Sequence, residues 1–395
     1  MEKRPMTEAG AGRRLLMVNI AYWVAAGTYG PFLSAYYTAR GMTAAQIGML
    51  LSISPIASIL IQPLWARLSD RSGKRKLVLM FITLGAAGTS LLYYCAESFP
   101  MYFAVTVIFT AFFSALLPLC DALVIETAGQ YHRDFAKIRM GGTLGYAFVV
   151  FIIGFYLEKV PMAQFALVCA AILLLVVVES RLPPPRSRAE ERAVGSGGAK
   201  TGGKRQIFRS KEAVFVLAFA FVSQMGLGFS GAFMGRYVVM LGYSQSLVGV
   251  LSCISALSEV PILLMASRLV WRFGEIPILM ASSLLMTVRI FLTGLGYIPT
   301  LVVAQLMQSV TYMTVYFCCT TYISKNVLPG KQSQGQSLLA MVQVGFASVI
   351  ANVGGGFVSD MLGIPRAYMA VALMTLVLTT AVILIYRHSG WGEKR

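Results

Sequence analysis

Charge and imidazole are what this chain has least of. Asp, Glu, Lys and Arg together make up 12% of its 395 residues, about half the share found in soluble domains. Only two histidines occur, His132 and His388, and both fall outside the long apolar runs. No imidazole is therefore available for a metal site inside those runs. The acids number 16 and are scattered rather than grouped. A membrane-bound enzyme needs nucleophiles, metal ligands or acid–base clusters. With none of these in the pattern, neither catalysis nor a metal or organic cofactor is expected. Six cysteines (Cys95, Cys120, Cys169, Cys253, Cys318 and Cys319) fall inside predicted helices, without a histidine at ligand spacing. A disulfide framework would need them in loops, so they read as small apolar packing residues.

What the chain has in abundance is apolar length. Hydrophobic residues make up 57%, arranged in twelve runs at 15–38, 46–66, 77–96, 101–126, 139–157, 161–179, 212–236, 245–266, 277–295, 300–323, 337–357 and 367–386. Runs of about 20 residues match the thickness of a bilayer core. The expected fold is an all-α membrane protein of twelve transmembrane helices. The first run is long enough to span and lacks a small-residue cleavage site, so it reads as a retained helix. The net charge of +17 does not point to nucleic acid. With the N-terminus inside, only Arg40, Lys159, Arg236 and Arg366 fall at outer ends, and Arg139 and Arg289 fall in or at the edge of helices. The other 27 of 33 Lys and Arg lie on the inner side. That bias sets orientation, with both termini cytosolic.

One segment breaks the pattern. Residues 181–211 carry nine bases against two acids around a Pro-Pro-Pro run and a Gly/Ser-rich stretch. Such a sequence cannot bury a core and reads as a flexible linker. It separates an expected bundle at 1–180 from one at 212–395. The two bundles repeat each other at an offset of 201 residues. Gly41, Gly48, Leu50, Ile53 and Ser54 return as Gly242, Gly249, Leu251, Ile254 and Ser255. The charged stretch Ala66–Lys76 returns in worn form: Arg67, Leu68, Arg71 and Gly73 recur as Arg268, Leu269, Arg272 and Gly274. Duplicated helical halves with charged loops at one end are a transporter's signature. The basic residues Arg67, Arg71, Lys74 and Arg75 serve as a topology signal and Gly73 as a tight turn. Asp70 can cap a helix or pair with an arginine to hold an inner gate shut. The copy has Trp271 in place of that aspartate.

Ionisable residues inside membrane helices are costly and mark functional positions. Asp121 and Arg139 lie on consecutive antiparallel helices and can meet, either as a structural ion pair or as a fork for a solute's carboxylate or hydroxyls. Glu126 lies five residues beyond Asp121 and about 140° around the helix. It reads as a partner for Arg133 or Lys137, or as a second coupling acid. Glu259 stands alone in an apolar helix and is the first choice for carrying a proton. Arg289 can neutralise Glu259, meet a solute anion, or reach toward water. Tyr29, Tyr36, Gln224, Gln308, Tyr312 and Tyr316 complete the lining.

At the loop Ala66-Arg-Leu-Ser-Asp-Arg-Ser-Gly-Lys-Arg the sequence resembles the major facilitator superfamily, with Ala in place of the motif's first Gly. Arg139-Met-Gly-Gly-Thr-Leu-Gly-Tyr, Met286-Thr-Val-Arg-Ile and Gly335-Gln336 narrow the resemblance to the branch holding lactose permease, phenylpropionic acid transporters and nucleoside–proton symporters. The resemblance implies two six-helix bundles around a central site. It also implies a solute bound by Asp121 and Arg139 with the aromatic Tyr146, and proton coupling involving Arg289. This branch often carries a histidine in the tenth helix, where this chain has Gln308 in Gln305-Leu-Met-Gln308, which moves coupling toward Glu259. The expectation is a monomer in a bacterial inner membrane that imports a small polar or organic-acid solute by proton symport, driven by the proton gradient. The alternative is proton-antiport efflux of drugs or metabolites. The fifth helix lacks the Gly-Pro pair usual in drug antiporters, which weighs against it.

Overall fold

The computed structural model describes residues 8–131, 135–182, 208, 212–328 and 332–389. Helices follow one another through these residues. They are α1 (Glu8–Tyr29, resuming as Leu33–Ala39), α2 (Ala44–Leu60 and Gln62–Ser72), α3 (Arg75–Ser90), α4 (Phe99–Phe113 and Leu116–Gln130), α5 (Phe135–Lys159) and α6 (Gln164–Ser180). The second half continues with α7 (Ala213–Met240), α8 (Gln245–Phe273), α9 (Glu275–Gly294), α10 (Ile298–Leu306 to Thr314–Asn326), α11 (Gln332–Ala340 to Ser348–Leu362) and α12 (Ile364–His388). The expected linker, 181–211, lies almost wholly outside the described residues.

Eleven of these helices, α2 to α12, are long and apolar enough to cross a membrane. The first apolar run differs from expectation. It breaks at Gly30–Phe32, where Pro31 brings a ring and no amide proton, and its longer piece carries Arg13, Arg14 and Asn19. Pro63 sits in the first turn of the second α2 segment, a position that costs no helical hydrogen bond. Pro55 lies within Ala44–Leu60. The repeat is visible in backbone conformation. Gly73 ends α2 at φ 66° and its counterpart Gly274 precedes α9 at φ 78°, the left-handed region that glycine enters without strain.

Packing divides the chain into two compact units. One comprises Met1–Arg40, Ile56–Gly197 and Ser244–Cys253, the other Gly41–Pro55, Gly198–Tyr243 and Ile254–Arg395. The repeat-related helices α2 and α8 are the two divided between units. The first unit's core is aromatic: Tyr93 stacks on Phe165 with ring centres 3.7 Å apart, and Tyr37 and Tyr93 both hydrogen-bond the Thr106 hydroxyl. In the second, Phe219, Leu279, Cys318, Cys319 and Tyr322 form a buried cluster. Large apolar side chains such as Phe81, Phe148, Leu373 and Ile385 are exposed, as suits helices whose solvent is lipid.

Candidate solute and proton sites

Close packing of α1 on α5 builds the site in the first unit. Glycines at 141, 142 and 145 leave α5 without side chains on one face. A Cβ at Gly141 would overlap Leu16, one at Gly142 would overlap Asn19 and Trp23, and one at Gly145 would stand 2.9 Å from Ile20 Cγ2. Small residues allow this approach where apolar attraction between helices is weak. The approach sets Trp23 beside Arg139, one turn before Gly142.

Arg139 Nη1 donates to Asp121 Oδ2 at 3.1 Å. The pair predicted from sequence therefore forms. Its side chains keep 38% and 23% of their exposure, so it is only partly covered. Arg139 also lies over the Trp23 ring, with its guanidinium carbon 4.6 Å from the centroid, a cation–π contact. Tyr146 meets Trp23 edge-on at 6.0 Å. Among the described residues, three buried polar atoms here have no hydrogen-bond partner from the protein: Asp121 Oδ1, Trp23 Nε1 and Asn19 Oδ1. Buried polar atoms are normally satisfied. Two acceptors and one donor around a fixed guanidinium match a solute bearing hydroxyl or amide groups. Trp23 and Asn19 were missed in the sequence, although their spacing of four residues puts them on one helical face. The Tyr29 ring packs 4.9 and 5.1 Å from Phe109 and Phe113. Tyr36 also belongs to the aromatic core.

In the second unit, Gln308 Nε2 donates to Glu259 Oε1 at 3.1 Å, joining α10 to α8. Gln308 Oε1 is buried without a partner. Arg289 neither bonds Glu259 directly nor reaches toward water. It is 3% exposed, and donates to Thr311 Oγ1 at 3.1 Å and Gln305 Oε1 at 3.5 Å. Glu259 lies within its electrostatic reach. Thr311 belongs to a π-helical turn, Ser309–Met313, a distortion frequent at functional sites. Tyr312 lies in the same turn and Tyr316 just beyond it, with ring centres 6.3 Å apart. Gln224 bonds Ser348 Oγ at 3.2 Å.

The charged loop corrects one expectation. Glu126 forms no ion pair with Lys137, which is exposed, and Arg133 lies outside the described residues. Arg75 takes the acid instead, with Nη1 2.5 Å from Glu126 Oε2 and Nη2 3.1 Å from Asp70 Oδ1. Asp70 thus pairs with an arginine of its own loop, and Arg75 ties α2, α3 and α4 together. The second unit has the same tie in reversed polarity, Lys325 Nζ of α10 to Glu275 Oε1 of α9 at 2.6 Å. Trp271, at the aspartate position, is 89% exposed. Lys74, Arg67 and Arg71 of the first loop form no ion pair among the described residues, nor do Arg268 and Arg272 of the second.

A family model described as the MFS_1 like family matches residues 13–370. The chain belongs to that family. Members of it are membrane transporters and not enzymes, which gives the twelve helices and two loops their setting. A maltose permease of Geobacillus stearothermophilus is 25% identical over 98% of both chains. A probable 3-phenylpropionic acid transporter of Escherichia coli strain K12 is 26% identical over 89% of this chain and 92% of its own. The crystal structure of a mutant of the nucleoside transporter NupG superposes with a TM-score of 0.85 at 18% identity, covering 95% of this chain and all of the other. That similarity confirms the major facilitator fold.

Proposed function

We propose that this member of the family is a proton-coupled symporter that imports a small polar solute, with Asp121, Arg139 and Trp23 as its solute contacts. One observation carries the reading. A charge pair bonded through a single carboxylate oxygen leaves Asp121 Oδ1 buried without a protein partner among the described residues, as Trp23 Nε1 is. Buried polar atoms that the protein's own groups do not satisfy are those that a polar solute can satisfy. Maltose and 3-phenylpropionate, named for two relatives, offer the hydroxyls or carboxylate that such a set takes, and supply the first compounds to test. Glu259 is the proton carrier in this reading, held by Gln308, with the Arg289 charge within electrostatic reach. Both termini face the cytosol, as the basic loops require.

The test is transport by purified protein in proteoliposomes, with maltose, uridine and 3-phenylpropionate as solutes. An acid-outside gradient should drive accumulation of at least one, and a protonophore should abolish it. Glu259→Gln should keep counterflow of that solute but lose uphill accumulation. Accumulation that survives in this variant removes Glu259 from coupling, and export down the same gradient would reverse the assigned direction.

A further inference from the structure

Helix α6 ends in an acid that solute binding and coupling do not use. Glu179 is fully buried, one residue before the end of an otherwise apolar helix. Its carboxyl oxygens lie 3.2 and 3.1 Å from Thr83 Oγ1 of α3. That hydroxyl is also 2.9 Å from Leu79 O, four residues back on its own helix. A hydroxyl has one proton to give. Threonines within helices commonly give it to this carbonyl. Thr83 then presents a lone pair to Glu179, and a hydrogen bond between them needs a proton on the carboxyl. The other arrangement would leave a fully buried carboxylate on a single neutral donor, which is costly.

A cation within electrostatic reach of this acid is engaged next door. Lys76, the second residue of α3, donates Nζ–H to Ser180 O at 2.8 Å and to Leu182 O, both just beyond Glu179. It forms no ion pair with Glu179, although it lies within electrostatic reach. The charge of Glu179 also reaches Cys120 of α4, and Arg14 of α1 donates to Arg181 O, two residues beyond the acid, at 2.7 Å.

We propose that Glu179 is a proton-binding site that sets the anchorage of the charged loop. With its carboxyl protonated, Lys76 stays on the carbonyls that end α6. When the carboxyl O–H bond breaks and the proton passes to water, the Lys76 ammonium exchanges Ser180 O and Leu182 O for the new carboxylate. The only net change is one proton released. Lys76 follows Arg75, so the exchange pulls on the residue that bridges Asp70 and Glu126. The proposal needs no solute, so it stands or falls apart from the transport reading.

Infrared titration of the full chain in lipid nanodiscs tests it. At neutral pH the wild type should show a carboxylic-acid C=O band that is missing in Glu179→Gln. The band should vanish as pH rises, and Lys76→Met, lacking the cation that receives the carboxylate, should move that loss to higher pH. If Glu179→Gln does not fold, Thr83→Val serves, because loss of the hydroxyl partner must shift the same band. A neutral-pH spectrum with no band sensitive to either substitution overturns the proposal. So does a titration that Lys76→Met leaves unmoved.

Discussion

Asp121 and Arg139 could be found in the sequence because charge is rare inside apolar runs and the helices that carry them are consecutive. Trp23 and Asn19 could not. Each is an ordinary residue of a membrane helix, and what singles them out is the glycine at 142 facing them across α1 and α5. The distinction has measurable consequences. Asp121→Asn keeps the shape but weakens a charge-assisted bond, so solute affinity should fall about 10- to 100-fold. Arg139→Lys should fail similarly, because an ammonium lacks the guanidinium fork. Trp23→Phe keeps an aromatic face and removes only the Nε1–H, so the loss should be smaller, about 2- to 10-fold. Isothermal titration with whichever of maltose, uridine or 3-phenylpropionate the wild type binds would check all three. Unchanged affinity in Asp121→Asn would make the pair structural.

Among elements, the helices themselves were legible from apolar length, and the ends of the charged loops from Gly73 and Gly274. What pattern alone did not reveal was where helices stop short or deform. Pro31 lies inside the apolar run 15–38, so apolar length alone does not place the break there. The π-helical turn in α10 has no composition signal, yet it presents Thr311 to Arg289. Pairing of loop charges was also hidden, since several bases lie near each acid and only the packed helices select among them. At this scale two predictions follow from geometry. Gly142→Val puts a branched side chain where Asn19 and Trp23 lie, and thermal unfolding should show a Tm lowered by several degrees, roughly 2–4 °C per kcal/mol lost. An unchanged Tm would mean that α1 and α5 pack more loosely than described. Lys325→Glu should lower Tm by setting an acid against Glu275, and adding Glu275→Lys should restore it. A double variant no more stable than the single would deny the pair its role in joining α9 to α10.

At the scale of the whole molecule, the duplication explains more than any single residue. Repeat-related helices α2 and α8 are the two shared between compact units. Repeat-related loops both tie the third helix of their half to the fourth, by ion pairs of opposite polarity. The halves diverge in chemistry. The first carries the charge pair and its indole, the second an acid held by an amide, with a buried arginine nearby. Such a division suits a transporter that binds its solute with one half and its proton with the other. The most direct measurement is proton movement in proteoliposomes enclosing a pH-sensitive dye, on addition of a solute found to bind, with no gradient imposed. Inward solute flow should acidify the lumen, and Glu259→Gln should abolish the acidification while solute exchange continues. Solute entry with no change in luminal pH would contradict proton symport.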